Sequence, residues 1–504
     1  MRRLILTLLL SCLFVSAFSK QESGVNFLLD LENSPALNNT VYSIYAKYVG
    51  GKDIVAKNKN VLLVPASVLK LFTTASALEI LGSDKTFETK VYLDGKIKGK
   101  TFEGDIYLLG AGDPSFGSKD FEGKPDYKEL FPFWAKALKK KGINQIKGNI
   151  YADNYLFSGM QLPWRASFKN IGNYFAPKAD ALSIANNKYK IVFPPAKAGD
   201  TNIIPLFTEP KIKNLEFRSE VYVSSEIKRE DVYATFEPVS NIINLNGVLP
   251  ESEKETEINA ALPNPAQFAV ESFLKSLQNS GLKVLGKAEV KKGENYDKKE
   301  LIFTHLSPTV KELVKHTNKK SDNLYAGVLL RDISAYSGGD GSAKDGLKKM
   351  KDALINIGVP EEDFDIYDAS GLSYSSNVSC QATVTLLEKI LTKPYAKDFK
   401  DSLVVAGNPA EKGFFGVRVA KKDFANKTLL KTGLLDKART IAGYTKDKNG
   451  KDIVFCFFIN NFKGKFGPII AMQDSFLNYL TSYSLSYSSV SSISTIKNGQ
   501  IKSK

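Results

Sequence analysis

The sequence predicts an α+β fold, in which helices pack on an antiparallel sheet and a long stretch of mainly β character interrupts that core. Three observations predict it. The apolar run from Val64 to Gly82, with proline at its start and glycine just past its end, reads as a helix. The β-rich runs Lys427–Thr432, Ala438–Tyr444 and Ile453–Asn460, the last two joined by a Lys-Asp-Lys-Asn-Gly turn (Lys446 to Gly450), read as an antiparallel hairpin sheet. Between these regions lie the strand-like segments Phe87–Leu93, Asp105–Leu109, Asn149–Ala152 and Val221–Val223. With 504 residues, 43% of them hydrophobic and 24% charged, the chain has ample material for a multidomain core, which excludes a disordered protein.

From the N-terminus, Met1-Arg2-Arg3, the apolar Leu4–Val15 and Ser16-Ala17-Phe18-Ser19 have the charged start, apolar middle and small-residue end of a secretory signal, residues 1–19. Leu9-Leu10-Ser11-Cys12 also matches a loose lipoprotein signal. Cleavage after Ser19 is preferred, because Cys12 lies inside the apolar run rather than after it. The protein is therefore expected to be exported, to a periplasmic or cell-envelope location. No later run is long and apolar enough to span a membrane, and no repeat or coiled coil is visible. The Ser/Thr/Lys-rich residues 481–504 are expected to form a flexible tail.

Three short strings occur in order: Ser67-Val68-Leu69-Lys70, Ser321-Asp322-Asn323 and Lys431-Thr432-Gly433. A serine three positions before a lysine shares its helical face, so the amine can reach the hydroxyl. A helix N-terminus adds N–H groups and a positive dipole end, suited to an alkoxide or a tetrahedral oxyanion. The S-x-x-K pattern recurs at Ser225, Ser272, Ser280 and Ser494, none with a Pro-to-Gly frame, and S-x-N recurs at Ser375–Asn377. Only Lys431-Thr432-Gly433 is unique. Each string also has a plain structural explanation: a capping serine with a solvated lysine, an N-cap at Ser321 for a helix from Leu324, and a strand running into a glycine turn.

With only His305 and His316 and no Gly-x-Ser-x-Gly string, a Ser–His–Asp triad or a histidine zinc centre has little to work with. Neither a metal nor a cofactor is expected. Besides Cys12, only Cys380 and Cys456 remain; one disulfide and two buried thiols both fit. The formal charge of +15 suits anionic wall polymers or a lipid surface better than nucleic acid. Because the lysines are spread along the chain, an evenly solvated lysine-rich surface is slightly preferred to any such contact. Nothing in the sequence sets an oligomeric state.

The three strings together form the motif set of penicillin-reactive serine enzymes. The sequence resembles the low-molecular-mass class C penicillin-binding proteins, D-alanyl-D-alanine carboxypeptidases/endopeptidases of the S13 peptidase type. The resemblance extends from about Val41 to Phe462 and includes Gly104–Pro114, Gly172–Pro177 with Ala181-Leu182-Ser183, Asp368–Ser373 with Asn377, Ser402–Gly407 and Asn460-Asn461-Phe462. It implies a penicillin-binding/serine β-lactamase-like domain, an antiparallel sheet flanked by helices, carrying two nested, mainly β inserted domains. The 254 positions from Ser67 to Ser321 (321 − 67 = 254) leave room for both. The expected boundaries are a catalytic domain of residues 20–88 and 298–480, a first insert of 89–180 and 265–297, and a second, nested insert of 181–264.

The resemblance also implies roles. Ser67 attacks the D-alanyl carbonyl, and Lys70, with a pKa lowered by partial burial and by nearby Lys431, takes its proton. Ser321 relays a proton to the leaving amine, while Asn323 holds the substrate amide and Lys70. Lys431 and Thr432 attract the terminal carboxylate. The N–H groups of Ser67 and of Leu434, after Gly433, hold the oxyanion. The implied partners are peptidoglycan stem peptides, with β-lactam antibiotics as covalent inhibitors.

Three departures stand out. Leu434 replaces the usual threonine, which makes cross-link cleavage comparatively more plausible than removal of a free D-alanine. Lys169 and Asn170 stand where the class carries acidic residues, and Tyr374 stands where an arginine commonly follows Gly-Leu-Ser. Leu434, Lys169 and Asn170 motivate a second reading, a catalytically silent peptidoglycan-binding protein. A third, a β-lactamase, is disfavoured by the long insert and the lack of an obvious deacylating glutamate motif.

Overall fold

A computed structural model describes residues 27–163, 165–237, 240–411, 419 and 422–484. The expected signal segment, with Cys12, and the tail beyond residue 484 lie outside the described residues. Within the expected tail, Thr481 and Ser482 instead close the helix Phe466–Ser482, and Thr481 is buried.

The central sheet has six strands, ordered 404–405, 429–435, 438–446, 452–460, 41–48 and 53–57, with every neighbouring pair antiparallel. The strand Asp452–Asn460 is almost continuously apolar because both of its faces are covered. Val454, Cys456 and Phe458 join the core of the helical layer on one side; Phe455, Phe457 and Ile459 join a second core with the helix Phe466–Ser482 on the other. A strand buried on both faces loses the alternation of a half-exposed one. Cys456 is bonded to Cys380, the first residue of the helix Cys380–Ile390, which pins the helical layer to the sheet with a Cα–Cα separation of 5.4 Å.

The insertion contains its own core. Strands Glu88–Lys98 and Thr101–Leu109 form an antiparallel pair, extended by short parallel strands at 145–147, 150–153, 283–284 and 288–290. Helices Tyr127–Lys140 and Pro265–Asn279 pack over this sheet, so the first insert is more helical than its expected β character. Glu300–Leu306 pairs with Glu88–Lys98, so this sheet continues past the boundary expected at residue 297. That strand is a sheet edge, exposed or half-buried along its length, with Ile302 and Phe303 packed against the core of the insertion. Two three-stranded sheets lie between residues 188 and 261: one of 188–193, 207–209 and 256–261, the other of 216–224, 231–236 and 242–250.

Candidate active site

The helix expected from Val64 begins as a 3₁₀ turn, Ala66–Leu69, and continues as the α-helix Lys70–Leu81, ended by Gly82 at φ +82°. Ser67 therefore lies in the 3₁₀ turn rather than in the first α turn. In a 3₁₀ turn, residues i and i+3 eclipse, which aligns Ser67 with Lys70 more directly than an α-helix would. Ala66 adopts φ +45°, a costly conformation for a non-glycine residue and one that recurs at functional sites. The turn is held from three directions. Asn460 brackets Val64, accepting from its N–H at 2.9 Å and donating to its carbonyl at 3.2 Å. Thr440 Oγ1 donates to the Pro65 carbonyl at 2.6 Å. A Cβ on Gly371 would stand 1.8 Å from the Ala66 carbonyl oxygen, so only glycine allows that loop so close.

Lys70 is fully buried, and Ser67 is half-buried. Lys70 Nζ lies 3.0 Å from Ser67 Oγ, 2.5 Å from Asn323 Oδ1 and 2.8 Å from the Ser370 carbonyl oxygen. Both carbonyl oxygens can only accept. A neutral amine has two hydrogens and one lone pair, so with both hydrogens held by Asn323 and Ser370 the lone pair is left for the serine hydroxyl. Burial favours that neutral state, bringing the lysine down to about 7 against the opposing pull of Asp368 and Asp322. The cause differs from the expected one. Full burial does the work, and Lys431 is not among the groups depressing Lys70.

Asn323 opens the helix Asn323–Ala335 and donates through Nδ2 to the Phe175 carbonyl at 2.6 Å, which fixes its amide with the oxygen toward Lys70. The helix cap is Asp322 rather than Ser321. Asp322 accepts from the N–H groups of Leu324 and Tyr325, while Ser321 sits in the left-handed region at φ 56°, between two helices. Its hydroxyl is thereby turned to Lys431 Nζ, 2.8 Å away. Burial alone would raise the Asp322 carboxyl, but His316, whose Nε2 lies 3.8 Å away, and the charge of Lys188 outweigh it and hold the group well below the usual carboxylate range.

Lys431 lies on the strand Leu429–Leu435, buried, with a second contact to the Thr432 carbonyl at 2.7 Å. Burial first, then the charges of Lys70 and Arg439, push it well below the usual lysine range. Past Leu430 this strand has no sheet partner on its outer side among the described residues, so its backbone faces the Ser67 turn. Gly433 makes that approach possible: a Cβ there would meet Pro65 O at 2.7 Å and Ser67 N at 2.8 Å. Thr432 is half-buried on this edge and Leu434 is exposed. All eight residues singled out in the sequence thus lie on the three segments that converge at Ser67.

Sequence reasoning named Asp368–Ser373 only within the resemblance and gave it no role, missing that this loop supplies the Ser370 carbonyl that holds Lys70. Buried Asp368 organises it, accepting from the N–H groups of Ser370, Gly371 and Leu372 and from the hydroxyls of Ser370 and Ser376. An aspartate two residues before a Ser-Gly pair is an Asx-turn signal that could have marked it. Asp368→Asn keeps an acceptor but removes the charge. It is expected to cost about 2 kcal/mol in urea unfolding and to move the pH midpoint of acylation downward, since Asp368 raises the Lys70 pKa.

Among the described residues no group of His, Cys, Asp or Glu is placed to hold a metal ion, and no helix is long and apolar enough to cross a membrane.

The model of the D-Ala-D-Ala carboxypeptidase 3 (S13) family matches residues 28–474. The D-alanyl-D-alanine carboxypeptidase of Actinomadura sp. (strain R39) is 26% identical over 465 residues, covering 89% of this chain and 82% of its own. The D-alanyl-D-alanine carboxypeptidase DacB of Haemophilus influenzae is 25% identical over 450 residues, covering 87% and 90%. The crystal structure of penicillin binding protein 4 from H. influenzae shares the fold, with a TM-score of 0.75 at 23% identity over 88% of this chain and 97% of that one. The matched residues 28–474 include all three motif strings, and the chain belongs to the D-Ala-D-Ala carboxypeptidase 3 (S13) family, the serine hydrolases of the class C low-molecular-mass penicillin-binding type.

Proposed function

We propose that this protein is an exported serine D-Ala-D-Ala carboxypeptidase and DD-endopeptidase that cleaves peptidoglycan stem peptides through an acyl-enzyme on Ser67, with Lys70 as the base. The observation that carries this is the Lys70 amine, buried, held by two acceptor oxygens and 3.0 Å from Ser67 Oγ.

In the first half-reaction, Ser67 Oγ attacks the penultimate D-alanyl carbonyl and its proton passes to Lys70. The N–H groups of Ser67 and Leu434 hold the oxyanion. Collapse of the tetrahedral intermediate breaks the C–N bond; Ser321 gives its proton to the departing amine and takes up the one held by Lys70, which leaves Lys70 neutral again, with Lys431 beside Ser321 at 2.8 Å. Asn323 positions the substrate amide. Burial lowers the Lys431 pKa and an arriving carboxylate raises it, so Lys431 and Thr432 receive the C-terminal carboxylate when one is present. Water then hydrolyses the serine ester, regenerating the hydroxyl. The exposed Leu434 lacks the hydroxyl expected beside that carboxylate, which supports cross-link cleavage alongside removal of terminal D-alanine. The disulfide Cys380–Cys456 supports an oxidising, extracytoplasmic setting.

The test is intact mass of the purified mature protein after penicillin, with peptide mapping, alongside a chromogenic β-lactam and a D-alanine release assay. One stable adduct on Ser67 with D-alanine release is expected. Rapid drug turnover without an adduct would make the protein a β-lactamase; neither adduct nor turnover would leave a silent wall-binding protein. The acylation rate is expected to rise with pH through about 7, where Lys70 loses its proton, and to fall below it.

A further inference from the structure

The insertion holds the Ser321-Asp322-Asn323 turn at two points. Asn323 donates to the Phe175 carbonyl, and Lys188, the first residue of the strand Lys188–Phe193, places Nζ 3.4 Å from Asp322 Oδ2. The two carboxylate oxygens of Asp322 have separate tasks. Oδ1 accepts from Leu324 N–H at 2.9 Å and caps the helix Asn323–Ala335, whereas Oδ2 faces Lys188 and His316, whose Nε2 lies 3.8 Å away. A negative charge is favoured at a helix N-terminus, and a cation on the far oxygen fixes the direction in which the carboxylate points. The side chains of Asp322 and Lys188 are 10% and 30% exposed, so water and salt screen this pair less than one on the open surface.

The surroundings of the pair are firmly built. The His316 ring stacks on Tyr325 with centroids 4.2 Å apart, and its Nε2 also lies 3.9 Å from Asp120 Oδ2. Tyr325 Oη donates to Asn186 Oδ1 at 3.1 Å, and Asn186 Nδ2 donates to Asp120 Oδ2 at 2.6 Å, which closes a ring of contacts between the insertion and two helices of the catalytic domain. The N–H groups of Ser321 and Asp322 both donate to the carbonyl of Thr317, the residue after His316. Asp322 also acts at a distance: its charge, with that of Asp368, raises Lys70 against the larger effect of burial. A cation beside Asp322 offsets part of that charge.

We propose that Lys188, which lies outside the three motif strings, is a positioning residue for acylation: from the insertion it fixes the Asp322 carboxylate against the start of the helix Asn323–Ala335 and offsets its charge, so the insertion sets both the placement of Ser321 and Asn323 and the field at Lys70. The inference rests on the acyl-transfer reading of the site. It gives the insertion a part in the chemistry besides its own fold.

The experiment measures acylation of the mature protein by a labelled penicillin across the pH range around the Lys70 midpoint of about 7. The other charged groups facing the two residues, His316 and Asp120 at Asp322 and Asp368 and Lys431 around Lys70, are the same in every variant. Removing a cation leaves Asp322 less offset, so Lys188→Met is expected to move the midpoint upward by about 0.3–0.5 pH unit and to slow the plateau rate roughly threefold. Lys188→Arg keeps the charge and is expected to keep the native midpoint. Asp322→Asn is expected to move the midpoint downward. In the Asp322→Asn protein no carboxylate holds the lysine, so Lys188→Met is expected to shift the midpoint there by less than half as much. Lys188→Gln carries the same expectation as Lys188→Met if the latter fails to fold. A Lys188→Met protein slowed equally at every pH with no midpoint shift, or an equal shift with and without the Asp322 carboxylate, would overturn the proposal. A wild type that takes up no penicillin would instead overturn the acyl-transfer reading.

Discussion

Lys70→Arg is expected to lower the rate of Ser67 acylation by penicillin about 10³-fold, the scale of a lost general base. The substitution keeps a long cationic side chain, but a guanidinium has five donors, no acceptor and no accessible neutral form. The site needs the opposite. Two of the three groups around Nζ are carbonyl oxygens, which accept the two hydrogens of a neutral amine and leave its lone pair for Ser67 Oγ. An arginine would place a permanent charge where burial already brings the lysine down to about 7. Lys70→Met removes the amine without burying a charge, so it separates loss of the base from loss of the fold. Both variants are expected to lose the rise of acylation with pH. Stopped-flow fluorescence with a labelled penicillin checks this, and a Lys70→Arg protein that acylates near the native rate with the pH rise intact would remove Lys70 from the role of base.

Gly433→Ala is expected to slow acylation about 10²-fold and to destabilise the protein by about 1–3 kcal/mol. The added Cβ would sit 2.2 Å from Thr440 Oγ1, 2.7 Å from Pro65 O and 2.8 Å from Ser67 N. Real Cβ contacts do not come so close, and two of the three atoms belong to backbone. Either the strand Leu429–Leu435 or the Ser67 turn must move, and strain of that kind in a packed region costs 1–3 kcal/mol. A displacement near 1 Å between nucleophile and oxyanion donors costs on the order of 10²-fold in rate. Thermal unfolding and the acylation rate measured together check both parts. A variant with native stability and native rate would show that the turn has slack the packing does not suggest.

Parts of this protein were legible along the chain because they depend on local chemistry. Pro65 and Gly82 frame the helix that carries Lys70, the Asn449-Gly450 turn leads into Asp452–Asn460, and an i, i+3 spacing aligns Ser67 with Lys70. These are consequences of φ preferences and helix period, which neighbours in sequence set by themselves. The plain structural alternative at Ser321 is also local in kind: two adjacent residues both suit an N-cap, and Asp322 takes it, leaving the serine hydroxyl to Lys431.

What only the tertiary structure decided depends on groups distant in sequence. The lowered pKa of Lys70 follows from its complete burial, against the opposing charges of Asp368 and Asp322, both far away along the chain. The bond between Cys380 and Cys456 required a helix to start over the strand that carries the second cysteine. Lys169 meets Asp436 across 267 positions, which ties the insertion to the turn after the strand Leu429–Leu435. Burial and electrostatic pairing depend on which surfaces come together, so the motifs in the sequence named the reacting groups while packing set their protonation and their reach.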